Sequence, residues 1–507
     1  MHSISKINVS SYGYGLFLAL NATSVWGGVF PFLPSSVQTE DYIFWFFLAQ
    51  SISFAATFIV MILFALKTNK ELTHLIFKVA CLTYFSGYLA LIATMYLAEL
   101  SFVLALLGGT FLGIGSAIFY CLWQLVFAGE KDDKGPYNLI VGTALAALFY
   151  AGLYALPRVL TTYLIPLIFL PLFALAYVLS LREIDDQQPM YQDRASEYKH
   201  IYKKTTSDLW RSALSIAALG LCTGIMRALS ISDVSIGAWI NILSMGALFS
   251  AAIALLLIWQ TQNFKLNVLT IYRIIFPFVI SGLLVLPFLP IWYERFLAIS
   301  LYALHSIAII LMMIQAMQLS KNRGVHPMFT FAVFSGVVFS FHDVGFIAGR
   351  LSGIVGTGRM NLLLIVSLVT IYLLSLMYMF GYHGFSRALR SSLGAEKIEF
   401  IALRAPDPNE EAKYQAQLES KLSDKDSEGK LVDRVSKQVA KLQNHYRLTE
   451  RESEIAELIV RGYTVSAIAE KLYISENTVR SHSKHIYTKL DIHKKQELIS
   501  LAEAMEV

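Results

Sequence analysis

Arg480, Ser481, Lys484 and Thr488 fall within about 100° of one another on a helical wheel drawn through SENTVRSHSKHIYTKL. Val479, Ser483, Ile486 and Leu490 fall on the opposite side. One face is therefore mostly apolar and inward, while the other carries a guanidinium, an ammonium and two hydroxyls. A helix of this kind fits a DNA major groove, where Arg and Lys can address guanine edges. Thr478 and Lys489 flank the face, and with Lys494 and Lys495 they are placed to position phosphates. Residues 447–507 hold nine Lys/Arg against ten Asp/Glu, so bulk charge carries no nucleic-acid signal. Glu450, Glu452, Glu454 and Glu457 fall on an earlier helix, which leaves the reading face basic.

A second set of polar residues lies inside long apolar runs: Asn21, Trp26, Tyr120, Trp123, Arg227, Asn241, His305, His342 and Asp343. Polar groups at membrane depth are costly, so each is a candidate ligand contact. Aromatic walls with Arg, His and Asn suit a small aromatic or carboxylated ligand. Other readings stand beside this one. Arg227, near the outer end of its run, fits snorkelling, as do Lys78 and Arg273 near inner ends. Trp26 fits an interfacial belt. His342 and Asp343 point about 100° apart on a helix and need not pair. Gly109, Gly113, Gly115 and Ser116 form a small-residue face suited to helix packing.

No catalytic pattern emerges. The chain has no Walker-type glycine loop, HExxH, CxxC or nucleophile elbow, and no kinase or receiver signature. A non-enzyme without cofactor or metal is expected. Cys81, Cys121 and Cys222 are scattered through apolar segments and make no disulfide framework.

The elements that must hold these residues are of two kinds. The 507 residues are 56% hydrophobic and only 15% charged, and charge density rises sharply after Tyr382. An all-α chain is expected, with a membrane domain over 1–382, a cytoplasmic linker over 383–446 and a soluble domain over 447–507. About twelve apolar runs of membrane length precede residue 382. They are roughly 12–33, 43–66, 73–97, 102–127, 137–156, 162–181, 210–229, 235–259, 267–289, 295–318, 327–349 and 361–380. The first carries no charged leader with a cleavage site and is expected to remain as a helix. The polar stretch Leu181–Asp208 divides the runs six and six. With the N-terminus inside, inner segments hold 14 Lys/Arg and outer segments 5, which puts both termini in the cytoplasm.

Six plus six spans around a long cytoplasmic loop resemble the major facilitator superfamily over residues 12–380. That resemblance implies a central cavity lined mainly by spans 1, 4, 7 and 10. The family's glycine-acid-arginine loop motif is missing from ALKTNKELTH after span 2 and from WQTQNFKLN after span 8. Both departures speak against transport.

In the linker, Leu431, Val435, Val439 and Leu442 recur at helical spacing. This stripe fits either a helix packed on the C-terminal domain or a dimerisation or signalling helix. Beyond it, Thr449 and Glu452 make a capping box, with Ile455, Leu458 and Ile459 facing inward and Gly462 ending the helix. Thr464 and Ser475 cap two further helices, and Ile468, Ala469 and Leu472 pack inward. A fourth helix from about Lys494 carries Leu498, Leu501 and Met505 as an apolar stripe.

This tetrahelical pattern resembles the LuxR-type helix-turn-helix over nearly all of 447–500. The resemblance rests on Leu448, Thr449, Arg451, Glu452, Glu454 and Gly462, then Ile468, Ala469, Leu472 and Ser475. It continues through Thr478, Val479, Arg480 and His482 to Ile486, Tyr487, Lys489, Leu490 and Glu497. It implies that the third helix enters the major groove and that the fourth, with Leu498, Leu501 and Met505, forms a homodimer face. Ala467 replaces the usual Glu/Gln, and Asp491 stands where glycine is common. Together the two halves imply a membrane-bound one-component regulator in a bacterial cytoplasmic membrane. Its expected partners are double-stranded DNA, a small-molecule ligand and the bilayer. A transporter with a regulatory tail and a sensor of a membrane protein are the alternatives.

Overall fold

The computed structural model describes residues 8–26, 30–67, 70–130, 134–184, 188–192, 199–230, 234–261 and 265–267. It further describes 281–285, 288–354, 400–402, 428–461, 465–472, 476–492 and 494–504, with 279, 368, 372 and 463. Contacts divide the chain into two compact units. One comprises Met1–Gln188, Thr206–Leu319 and His326–Ala405; the other comprises Pro189–Thr205, Ser320–Val325 and Pro406–Val507.

Among the described residues, ten long helices precede residue 355: α1 Val9–Ser24, α2 Glu40–Ala65, α3 Lys70–Ala93, α4 Ser101–Gly129 and α5 Lys134–Ala155. They continue as α6 Arg158–Leu181, α7 Lys199–Ser230, α8 Val234–Thr261, α9 Ile291–Arg323 and α10 Pro327–Ile354. Local chemistry sets their starts. Asn8 and Thr39 cap α1 and α2, their side-chain oxygens accepting from the Val9 and Tyr42 amides. Within α6, Pro166 lacks a backbone donor, and Ile165–Phe169 relaxes into a π turn.

Among the described residues, eight helices are long and apolar enough to cross a membrane, or nine if the bent pair Ile201–Ser207 and Ser212–Ala228 is one span. Helix α1 has 16 residues and ends at Ser24, short of the expected 12–33 run. The expected spans 267–289 and 361–380 lie largely outside the described residues. The one strand pairing among the described residues is antiparallel, Lys265–Asn267 with Phe400–Ala402.

Packing follows small residues. A side chain added at Gly109 would strike the Phe46 carbonyl, and one at Gly113 would strike the Gln50 carbonyl and the Ser53 hydroxyl. Close approach of α4 to α2 therefore requires that glycine face. Gly224 and Gly345 do the same for α7 and α10: a side chain on either would meet the other helix's backbone. Helix α2 also packs on α10, and α5 on α8. In the numbering of the twelve expected spans these are pairs 2–11 and 5–8, which exchange under a shift of six. Two hydrogen bonds to one residue join the early helices to α9. Tyr14 donates to Met313 Sδ at 3.1 Å, and Gln124 Nε2 donates to the Met313 carbonyl at 3.0 Å.

The second unit contains α11 Glu428–Tyr446, α12 Glu450–Val460, α13 Val465–Leu472, α14 Glu476–Leu490 and α15 Lys495–Ala504. Val435, Val439 and Leu442 of α11 share one core with Ile455, Ile459, Ile468, Val479, Ile486 and Leu498. These three residues of the stripe pack on the C-terminal domain, while the Leu431 side chain lies outside the described residues. The turn after α11 places Arg447 at φ 53°, and the Leu448 amide donates back to the Gln443 carbonyl.

Candidate ligand cavity and DNA-reading helix

A cavity of about 80 Å³, open to the outside, lies inside the first unit between early and later helices. Its wall includes Trp26, Tyr120, Arg227, His305, His342 and Asp343, six of the nine residues singled out in the sequence. Trp26 stacks on Tyr120 at 5.8 Å between centroids, and Tyr120 stacks in turn on Phe331 at 6.2 Å. Trp26 is therefore part of a cavity wall rather than only a belt residue.

Arg227 is 5% exposed, too buried to be snorkelling. Its Nη2 donates to Asn241 Oδ1 at 3.1 Å, and its guanidinium carbon sits 4.9 Å from the centre of the Tyr302 ring. Nη1 has no hydrogen-bond partner. Asn241 thus reaches the site through Arg227. The His305 and His342 rings stack nearly parallel, 5.6 Å apart. Gly220 makes room beside them, since a side chain there would press on the His305 ring and the Val338 carbonyl. His342 Nδ1 and Asp343 Oδ1 are 3.2 Å apart, so these neighbours do pair, and Asp343 Oδ2 has no hydrogen-bond partner.

Asn21 and Trp123 stand behind the wall. Asn21 Oδ1 accepts from the Tyr84 and Ser116 hydroxyls, each at 2.9 Å, which ties α1 to α3 and α4. Trp123 packs edge-on to Tyr14, a wall residue, at 5.9 Å. Sequence reasoning passed over Tyr302 and Tyr14. Both are aromatic residues in aromatic-rich spans, and nothing in their spacing distinguishes them.

In the second unit, the capping box forms as expected: the Thr449 hydroxyl accepts from the Glu452 amide, and the Thr449 amide donates to Glu452 Oε2 at 2.8 Å. Arg451 bridges onward, donating to the Leu472 carbonyl at 3.0 Å, which fixes α13 on α12. On α14, Val479, Ile486 and Leu490 are buried, while Arg480, Ser481, Lys484 and Thr488 are exposed. Thr478 at the start of α14 is half-buried. Lys489 is exposed as well, but its ammonium is engaged: Nζ lies 2.6 Å from Glu452 Oε2. Desolvation raises the Glu452 carboxyl, but the Lys489 ammonium and the Thr449 amide and hydroxyl outweigh it and hold the group below the usual carboxylate range.

Leu498 is fully buried in the domain's own core and is not available to a partner, because α15 packs its apolar side on α11 and α12. Leu501 is partly buried against the same core. Met505, Gly462, Thr464 and Ser475 lie outside the described residues, as does the Ala467 side chain. Asp491 occupies φ 55°, the left-handed conformation for which glycine is the usual residue.

Comparison with known proteins bears on the second unit. Oxygen regulatory protein NreC of Staphylococcus haemolyticus is 51% identical over 55 residues, 11% of this chain and 25% of that protein. The Staphylococcus epidermidis and Staphylococcus aureus proteins of the same name are 49% identical over the same length. The chain thus spans about a quarter of the length of these curated relatives. Similar solved structures include a bacterial homologue of the iron transporter ferroportin, with TM-score 0.49 and 13% identity, covering 74% of this chain and 98% of that one. The E. coli fucose:proton symporter gives TM-score 0.47 and 12% identity over 74% and 97%. Both scores lie below one half, too low to assign a fold. Residues 446–502 match the bacterial regulatory proteins of the luxR family, and this segment is a LuxR-type helix-turn-helix domain.

Proposed function

We propose that the chain is a membrane-bound one-component transcriptional regulator. Its membrane domain, over 1–382, is a facilitator-like bundle of six plus six spans that binds a small molecule. A linker follows from 383. Residues 447–507, extended by α11, bind promoter DNA. One observation carries the reading: a LuxR-type domain with an exposed Arg480–Lys484 face shares a chain with membrane-length helices enclosing a largely aromatic cavity that holds Arg227, His305, His342 and Asp343. The pairing of α2 with α10 and of α5 with α8 supports the six-plus-six arrangement. The inner excess of Lys/Arg supports cytoplasmic termini in the cytoplasmic membrane.

Binding at both ends requires no reaction chemistry, so the reading is non-enzymatic. A ligand shifts such a protein only through differential affinity for two states. Cavity walls drawn from both halves of the bundle provide a route to that difference. On DNA the domain acts as a homodimer, with Leu501 rather than Leu498 at the contact.

A reporter assay tests the reading. Arg480→Ala with Lys484→Ala should abolish regulation by the full chain while leaving its membrane insertion unchanged. Solute accumulation against a gradient in proteoliposomes would instead identify a transporter with a regulatory tail. Regulation by the detached tail with full ligand response would refute sensing by the membrane domain.

A further inference from the structure

Resting on the sensing reading, the cavity's chemistry narrows the ligand. Arg227 is deeply buried, yet its contacts are with neutral groups, the Asn241 carbonyl and the Tyr302 ring face. A buried guanidinium that makes no ion pair among the described residues is costly, and an arriving anion relieves that cost. The forked donors of arginine match a carboxylate, and Nη1 has no partner to give up.

Asp343 presents the complementary need. Its Oδ1 is occupied by His342 and its Oδ2 accepts from nothing, so it calls for a donor rather than a second anion. The adjoining His305–His342 stack, seated over Gly220, fixes the His342 ring that holds this carboxylate.

The rest of the wall is flat and aromatic. Trp26 and Tyr120 present stacked faces, and Phe54 and Phe339 close the same slot. A polyol would leave its hydroxyls facing rings, and a cation would meet Arg227. We infer that the ligand is a small aromatic carboxylate whose ring bears a hydrogen-bond donor: Arg227 anchors the carboxylate and Asp343 accepts from the ring substituent. Trp26 and Tyr120 belong to the early helices, whereas Arg227 and Asp343 belong to the later ones. The bound ligand therefore bridges the two halves.

The test uses the full-length protein in detergent, with affinity read by tryptophan fluorescence and calorimetry. The probes are 4-hydroxyphenylacetate, its neutral amide, and phenylacetate. The hydroxylated carboxylate should bind at least about tenfold more tightly than the amide. Arg227→Gln should erase that preference, Arg227→Lys should retain part of it, and Asp343→Asn should erase the preference for the ring hydroxyl. Failure of both carboxylates to bind, an amide that binds equally well, or an unchanged preference in Arg227→Gln overturns the inference. DNA occupancy measured alongside separates the two claims. If the amide binds equally well and shifts occupancy, the carboxylate assignment falls while sensing stands. Arg227-dependent carboxylate binding with unchanged occupancy supports the ligand class and removes the sensing role.

Discussion

Lys489 Nζ lies 2.6 Å from Glu452 Oε2, joining the last turn of α14 to the N-terminus of α12 across 37 residues of sequence. The same carboxylate closes the capping box with Thr449. A single acid thus holds a helix start and a helix-to-helix strut.

Because the folded Glu452 carboxyl is held below its usual range, it contributes stability that is fully present above the unfolded carboxylate pKa. That contribution is lost as pH falls through the folded value. Thermal unfolding of a fragment covering 428–507 should show acid destabilisation that is weaker in Glu452→Gln. At neutral pH the substitution should cost about 1–2 kcal/mol by denaturant titration.

Arg480→Ala and Lys484→Ala should each weaken specific operator binding by about 1–3 kcal/mol and relax preference at the contacted base pair. Lys489→Ala should act chiefly on stability, since its ammonium is engaged by Glu452. Binding titrations on matched and mismatched sites separate these effects. Equal preference in wild type and Arg480→Ala would remove the base-reading role.

Asp491 pays for a left-handed turn that glycine adopts freely. Asp491→Gly should raise stability by about 0.5–1 kcal/mol without altering DNA affinity. Unchanged or lowered stability would show that the aspartate side chain supports the turn in another way.

Leu498→Ala should destabilise the fragment by about 2–5 kcal/mol as a core truncation. Leu501→Asp should instead spare most of the fold while dispersing the complex on paired half-sites. Analytical ultracentrifugation with a two-site duplex checks this, and a persistent dimer would exclude the contact.

Gly345→Val should force α10 off α7, where the Leu221 carbonyl leaves no room. Overpacking of about 1–3 kcal/mol is expected, with loss of any ligand response. Size-exclusion thermostability of the full chain in detergent would measure it.

What could be read from the sequence was local. The Thr449–Glu452 box spans three residues, and the face bearing Arg480 and Lys484 follows from helix period alone. The membrane polar set was legible because charge and imidazole are conspicuous in apolar runs. What joins these groups was not. The His305–His342 stack and the Lys489–Glu452 pair each cross 37 residues, and Tyr302 enters only because α9 faces α7. Leu498 fell on an apolar stripe that suited a partner as well as a core. Only the position of α11 distinguishes the two, and it filled the space with Val439 and Leu442.

Met313 receives hydrogen bonds from both α1 and α4, through Tyr14 and Gln124. Two struts meeting at one side chain and its own carbonyl do not loosen independently. A displacement of α9 away from α1 and α4 strains both together, because each needs its donor and acceptor within a narrow distance range. On the proposed sensing role, movement of α9 away from the early helices would cost both hydrogen bonds, and a ligand that holds the halves together would favour the arrangement in which both are made.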